Sequence, residues 1–322
     1  MSVYHLKEVR ALNYQRPDIV NGYADQTLYL NLSDQKIAIK PVAEKTKKTF
    51  TGGKGYNLWL LWNAVQPSTK WNDPENALCI AAGPLGGTPI YPGSGKSIVA
   101  TLSPTTASVM DSNVGGYFGP YLKFSGFDAL EIQGKSAKEV VVFIDGVNQK
   151  IQIFETKGLP ENAYALSAVL TEHFAQGKPR NISVVSAGPG AKNTLIGCLN
   201  FTWYDPKRKR ARYKQAGRGG VGTVFADKGL KAIVACWNNV TAETNNPADK
   251  ARLKNVAKLH SREIVELDPK QNEMSKIGTT HLVTIMNDHD LLPTHNFRYG
   301  QHPQAPNLGQ EVYRRLFDPG FD

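Results

Sequence analysis

Between residues 27 and 236 the chain is a succession of short apolar runs separated by turns and glycine-dense loops, and this spacing constrains the fold more than any other feature. Leu78–Ala82, Ser97–Thr101, Ala129–Ile132, Val140–Ile144, Ile151–Phe154, Ser183–Ser186 and Lys231–Cys236 are each too short for a buried helix and suit strands. Thr27–Leu32 and Ile37–Val42 alternate apolar and polar residues across the turn-like Ser33-Asp34-Gln35-Lys36, which predicts a β-hairpin. Asp145-Gly146 marks a second hairpin corner.

Helical spacing is rare in this region. Gly52-Gly53-Lys54-Gly55 introduces Tyr56–Val65, an apolar helix or buried segment. From Ala163 to Phe174 the period becomes helical, with Leu166, Val169, Leu170 and Phe174 on one face and Gly177 and Pro179 ending it. Sheet-rich sequence with a few helices and no regular β–α alternation predicts an α+β class.

The character changes after Trp237. Asn246-Pro247 is a good helix start, and 248–267 reads as one amphipathic helix with Leu253, Val256, Ala257, Ile264 and Leu267 apolar. Residues 303–322 read as loop with one helical turn. The expected organisation is an irregular arm over 1–26, a β-rich domain over 27–238, and the incomplete beginning of a helical domain over 239–322, with the boundary near 238–246.

A chain of 322 residues can bury a large core without disulfides. Its three cysteines, Cys79, Cys198 and Cys236, are too widely spaced for a disulfide framework or a local metal motif and read as small buried hydrophobes in strands. No apolar run is long enough to span a membrane, and the first residues carry no apolar leader core; a cytoplasmic protein is expected. The net charge of +10 points to an anionic partner, and much of the excess lies in Lys207-Arg208-Lys209-Arg210 with Arg212 and Lys214.

Two glycine-rich strings are decoys. Gly93-Ser94-Gly95-Lys96-Ser97 lacks the first glycine of a phosphate-binding loop, because Ile90 stands there. Gly217-Arg218-Gly219-Gly220-Val221-Gly222 has dinucleotide-type spacing, but the basic, polar Lys209–Ala216 before it does not read as a buried strand. Its glycines still allow a sharp turn or close approach of a ligand, and Arg218 offers a fork of donors to an anion. Asn113-Val114-Gly115-Gly116-Tyr117-Phe118-Gly119 is a third such cluster. Ala81-Ala82-Gly83-Pro84 and Ser186-Ala187-Gly188-Pro189 echo each other; duplication and coincidence are equally compatible with that. Neither G-x-S-x-G nor H-E-x-x-H occurs, and His281, His289, His295 and His302 fall at no metal-binding spacing, so they are expected at a surface or interface.

Taken together, residues 75–88 (ENALCIAAGPLGGT), 97–104 (SIVATLSP), 112–136 (SNVGGYFGPYLKFSGFDALEIQGKS) and 216–234 (AGRGGVGTVFADKGLKAIV) resemble the tungsten-containing aldehyde:ferredoxin oxidoreductase family, in order and at the family's approximate separations. Residues 291–300 (LLPTHNFRYG) resemble its entry into the second domain. The resemblance implies a β-rich N-terminal domain that cradles a tungsten bis-pyranopterin, with Mg as an accompanying ion, followed by the start of a helical domain. It implies cofactor contacts at Lys96, Asn113, Gly115, Lys214, Gln215, Gly217 and Arg218. The family usually has Arg at Lys96 and Arg-Ala at Lys214-Gln215; the exchange keeps charge and loses the bidentate fork. The family's C-x-x-C-x-x-x-C cluster motif has no counterpart in these residues, so the [4Fe–4S] cluster is expected on a partner chain and no catalytic residue is named.

The expected function is thus the pterin-cradling part of a tungsten or molybdenum oxidoreductase that oxidises aldehydes to acids. The expected partners are a C-terminal, cluster-bearing subunit and a ferredoxin-like electron carrier. The alternative is a non-catalytic scaffold derived from the family. Nucleic-acid binding through 207–214 is disfavoured, because aromatic interleaving is sparse (Trp203, Tyr204, Tyr213) and an acidic partner or the pterin phosphates suit the run better.

Overall fold

The computed structural model of the chain describes residues 4–238, 241, 244–271 and 273–316. It comprises two units, one ending at Leu253 and the other beginning at Lys254. The boundary expected at 238–246 lies partly outside the described residues.

The first unit opens with β1 (His5–Asn13) and then runs through one pattern twice. The first pass is β2 (Gln26–Asn31), β3 (Lys36–Pro41), α1 (Glu44–Phe50), α2 (Lys54–Ala64), β4 (Leu78–Ala81), β5 (Ser97–Leu102), β6 (Val109–Val114), α3 (Phe118–Phe124) and β7 (Ala129–Gln133). The second is β8 (Val140–Asp145), β9 (Lys150–Lys157), α4 (Ala163–Ala175), β10 (Ile182–Ser186), β11 (Leu199–Asp205), β12 (Arg210–Ala216), α5 (Val221–Asp227) and β13 (Leu230–Cys236).

Each pass makes one sheet, and the strand orders correspond: β3-β2-β7-β4-β5-β6 and β9-β8-β13-β10-β11-β12, with β1 added outside β9. In each sheet one internal pair is parallel, β2 with β7 and β8 with β13, and the others are antiparallel. The echoing Ala-Gly-Pro loops follow β4 and β10, which occupy equivalent places. The echo is therefore a repeat in topology.

The two sheets pack face to face. Leu28, Leu30, Ile80, Val99 and Val114 of one sheet share a buried cluster with Val140, Val142, Ile144, Leu199 and Phe201 of the other, and Phe118 of α3 and Phe225 of α5 join it. The alternate residues Val141 and Phe143 face the other way, onto Leu166 and Leu170 of α4. On the other sheet Cys79 packs beneath Leu61 of α2. Central strands are thus covered on both faces, which accounts for runs such as Val140–Ile144 without polar alternation. Each fully buried large aliphatic or aromatic side chain contributes on the order of 1.5–3 kcal/mol. α4 starts where expected, with the Asn162 side chain accepting from the N–H groups of Tyr164 and Ala165.

Besides Lys231, which pairs with Glu139 and Glu161, two lysines are buried in this unit. Lys123 donates to the Gly83 carbonyl and so holds the loop after β4. Lys228 reaches the carbonyls of Pro74 and Gly134 at 3.4 and 3.3 Å. Burial pushes both ammonium groups down to about 8.

Several expectations are corrected. Residues 1–26 are not wholly irregular, because His5–Asn13 pairs along β9. Lys209–Ala216 is not a buried strand, as expected, but Arg210–Ala216 does pair along β11 as strand β12. The glycine string after it therefore does follow a strand and open a helix. It is still no dinucleotide site, since β12 is an antiparallel edge strand outside any parallel β–α–β unit.

In the second unit, α6 (Lys250–Gln271), whose first turn belongs to the first unit, is followed by α7 (Met274–Ile277), α8 (His281–Asp288) and α9 (Gln310–Leu316). On α6, Leu259, Ile264, Val265 and Leu267 are exposed. His281, expected at a surface or interface, is buried at the start of α8, with Nδ1 3.3 Å from the Gly278 carbonyl. No described helix is long and apolar enough to cross a membrane.

Candidate cofactor-binding site

β6 and β12 hold equivalent positions, each the edge strand of its sheet and each followed by a glycine-rich corner leading into a short helix. The two edges meet. The backbone N–H of Arg218, in the corner after β12, donates to the Ser112 hydroxyl on β6 at 3.1 Å. A Cβ placed on Gly115, in the corner after β6, would lie 3.6 Å from Cγ of Lys214 on β12, and one on Gly116 would lie 3.5 Å from the Thr202 carbonyl oxygen of β11. Gly219 has φ +64° and its missing Cβ leaves room for the Met110 side chain of β6. Two corners distant in sequence thus form one continuous surface.

Of the residues named from sequence, Gly115, Lys214, Gly217 and Arg218 are brought together at this junction. Lys96 is the residue before β5, and a Cβ on its neighbour Gly95 would stand 3.4 Å from the Gly116 carbonyl oxygen. Asn113 and Gln215 occupy equivalent positions on the two edge strands, each directly before the residue paired to the first residue of the neighbouring strand. They emerge on the outer faces of their sheets, since Val114 and Ala216 beside them point into the shared core. The Gln215 side-chain amide donates to Asn200 at 3.3 Å. Asn113 and Gln215 are therefore not adjacent.

The donor set suits an anionic, hydrogen-bonding group. Edge strands leave alternate backbone groups without a sheet partner. Among the described residues, no hydrogen bond is made by the N–H of Gly115, Gly116 or Gly217. A Cβ on Gly217 would meet nothing within 4 Å, so the backbone there faces open space. Lys96, Lys214 and Arg218 are exposed, and backbone N–H groups with cationic forks hold phosphates and polar ring edges well. A cavity of about 500 Å³ opens beside this surface, lined by Gly95, Thr88, Tyr117, Tyr121, Arg180 and Trp237. The residues present fit a pterin phosphate and ring.

Sequence reasoning missed Ser112, the hydroxyl that ties the corners. Its only signal is its place before Asn113, and contact with a turn more than 100 positions away leaves no local pattern. The three cysteines are free and lie apart: Cys79 is buried in β4, and Cys198 and Cys236 are partly exposed. Among the described residues no three His, Cys, Asp or Glu side chains are grouped to hold a metal ion.

Comparison with known proteins is consistent with this architecture. The family model described as aldehyde ferredoxin oxidoreductase, N-terminal domain, matches residues 27–236, and that for domains 2 and 3 of the same family matches residues 255–320. The tungsten-containing aldehyde ferredoxin oxidoreductase of Pyrococcus horikoshii is 33% identical over 279 residues, covering 87% of this chain and 43% of the relative. The protein of that name from Pyrococcus furiosus is 32% identical, with 86% and 43% covered. This chain therefore spans less than half the length of these relatives. Among solved structures, the active site complex BamBC of benzoyl coenzyme A reductase with 1,5-dienoyl-CoA is similar, with a TM-score of 0.60 and 28% identity over 68% of this chain and 31% of that one. The twin-sheet unit and its matched sequence together place the chain in the aldehyde ferredoxin oxidoreductase family.

Proposed function

We propose that the junction of the two glycine corners holds a tungsten or molybdenum bis-pyranopterin, one pterin to each corner. Two topologically equivalent strand–corner–helix units meeting edge to edge support this reading, and the Arg218–Ser112 bond between them is the observation that carries it. Gly115 and Gly217 would present backbone donors. Arg218, Lys214 and Lys96 would offset phosphate charge. Asn113 and Gln215 would read polar edges at the two outer ends. Bound there, the group would supply two-electron redox chemistry, oxidation of an aldehyde to an acid, with electrons passed on to a ferredoxin-type carrier.

The chain corresponds to under half of its tungsten-containing relatives. The iron–sulfur cluster and the groups that move protons would then come from polypeptide beyond these residues, on a partner chain. The exposed Leu259, Ile264, Val265 and Leu267 on α6 are a surface such polypeptide would cover. A cofactor-free scaffold bound to an intact oxidoreductase is the competing reading, favoured by lysine at positions 96 and 214.

Elemental and pterin analysis of the protein, purified with its associated chains from tungstate-fed cells, decides between them. Stoichiometric tungsten and pterin, lost in Arg218→Ala, are expected. Tungsten-free and pterin-free material would overturn the cradle and leave the scaffold.

A further inference from the structure

Beyond Thr202, β11 leaves the body of its sheet. β10 pairs with it only through Val185 with Phe201 and Ser186 with Asn200. β12 is an edge strand. From Trp203↔Arg212 to Asp205↔Arg210 the two strands therefore pair in the sheet only with each other, as a two-stranded ribbon.

The end of this ribbon is ordered. The Asp205 carboxylate accepts from the N–H of Lys207 at 3.0 Å and of Arg208 at 3.2 Å, and from the Arg208 guanidinium at 2.8 Å. Asp205 is nearly buried, and the turn closes through Lys209 at φ +49°. At the root, Tyr213 packs edge-on against Tyr164 of α4, and the Trp203 ring lies 5.9 Å from that of Tyr117.

Lys207, Arg208, Lys209, Arg210 and Arg212 are carried by this ribbon and Lys214 lies just below its root, and among them only Arg208 has an ion-pair partner within 4 Å among the described residues. Arg210, Arg212 and Lys214 alternate along β12 and so share one face. Like charges at this spacing repel, and the fold gains nothing from them. Nor do the tip charges serve the glycine junction: they lie beyond Arg210, itself four strand positions from Lys214, roughly 13 Å.

We propose that the β11–β12 ribbon is a docking surface for the acidic face of a partner protein. A pinned turn presents its cations at little further ordering cost, and a projecting basic element steers an acidic partner toward one edge of the sandwich. Single-stranded nucleic acid fits less well, because stacking of successive bases needs several free rings, whereas Tyr213 and Trp203 are engaged within the protein, leaving Tyr204 alone of the three. The proposal stands whether or not a pterin binds.

The test measures binding of poly-L-glutamate and of a single-stranded RNA oligonucleotide to the full chain, at low and raised salt. The ribbon variant carries Lys207→Ser, Lys209→Asn and Arg210→Thr, which spare Asp205 and Arg208. The charge-matched control carries Lys45→Ser, Lys70→Ser and Lys178→Ser at dispersed exposed sites. Wild type and control are expected to bind poly-L-glutamate alike, and the ribbon variant about tenfold or more weakly, a gap that closes as salt is added. Equal weakening in both variants, or no binding by wild type, overturns the proposal. Ribbon-dependent binding of RNA tighter than of poly-L-glutamate also overturns it, in favour of a nucleic-acid surface. If the triple variant fails to fold, Lys207→Ser with Lys209→Asn, confined to the turn, is read the same way.

Discussion

The backbone N–H of Arg218 donates to the Ser112 hydroxyl at 3.1 Å, and this bond joins the corner that ends one sheet to the edge strand of the other. Ser112 is almost wholly buried. Ser112→Ala removes the acceptor and leaves the Arg218 amide to find water, at a cost of about 1 kcal/mol. The midpoint of urea unfolding should fall accordingly. If the junction holds a pterin, tungsten content should fall as well. Arg218→Ala is the complement: its exposed side chain should change stability by less than about 0.5 kcal/mol while cofactor is lost.

Gly217 and Gly220 are three positions apart and should respond oppositely to alanine. Gly220 sits at φ +66°, and a Cβ there would collide with the Leu195 carbonyl and crowd Pro104. Gly220→Ala should cost about 3 kcal/mol or more and abolish soluble expression. Gly217 has open space around its missing Cβ. Gly217→Ala should melt like wild type, and any loss of tungsten or pterin from it would report contact with the cofactor rather than damage to the fold. Differential scanning fluorimetry with metal analysis on both proteins separates the two effects.

Strands β2–β5, β7–β10 and β13 were legible because burial on one or both faces leaves a run of apolar residues or a clean alternation. Strands β1, β6, β11 and β12 were not. Three of them are sheet edges and the fourth extends beyond the sheet, and edges carry charge that discourages further pairing. In β12 that charge, Arg210-Ala211-Arg212-Tyr213-Lys214, hides the alternation. The same edges carry the candidate site. Its residues were therefore named through family resemblance, while their juxtaposition, and Ser112, emerged only from the fold. The repeat was visible in sequence only as two Ala-Gly-Pro loops, because topology is preserved where side chains are not.

The buried lysines make a pH prediction. With folded values near 8, Lys123 and Lys228 bind fewer protons in the native than in the unfolded chain between about pH 8 and 10.5. Stability should therefore rise with pH from about 8 as burial of a charged ammonium ceases to be required. Tyr14, Tyr56 and Tyr121 oppose this above about pH 10, because burial raises their phenols and the unfolded chain ionises first. A stability maximum between about pH 9 and 10 is expected in urea titrations. Lys228→Met should flatten the rise below that maximum, whatever it does to absolute stability; an unchanged slope would mean that Lys228 does not titrate in this range.

Asp128 predicts the acid side. Its carboxylate accepts from the N–H groups of Ala24 and Asp25 at 3.0 and 2.8 Å, yet burial outweighs those bonds and nearby Lys123 and raises it to about 6. The native chain then binds the extra proton between about pH 4 and 6, so this group's contribution to stability falls as pH rises through that window. Asp128→Asn keeps an acceptor oxygen and removes the titration. Relative to wild type it should be more favourable at pH 7 than at pH 4, although a carboxamide offers only one oxygen to two N–H donors. The difference between the two proteins' unfolding midpoints, followed from pH 4 to 7, isolates Asp128 from other carboxylates such as Glu139 and Asp205, which ion pairs hold below their ordinary range. A difference that does not move with pH would show that the carboxyl titrates normally and that its two backbone hydrogen bonds and nearby Lys123 fully offset burial.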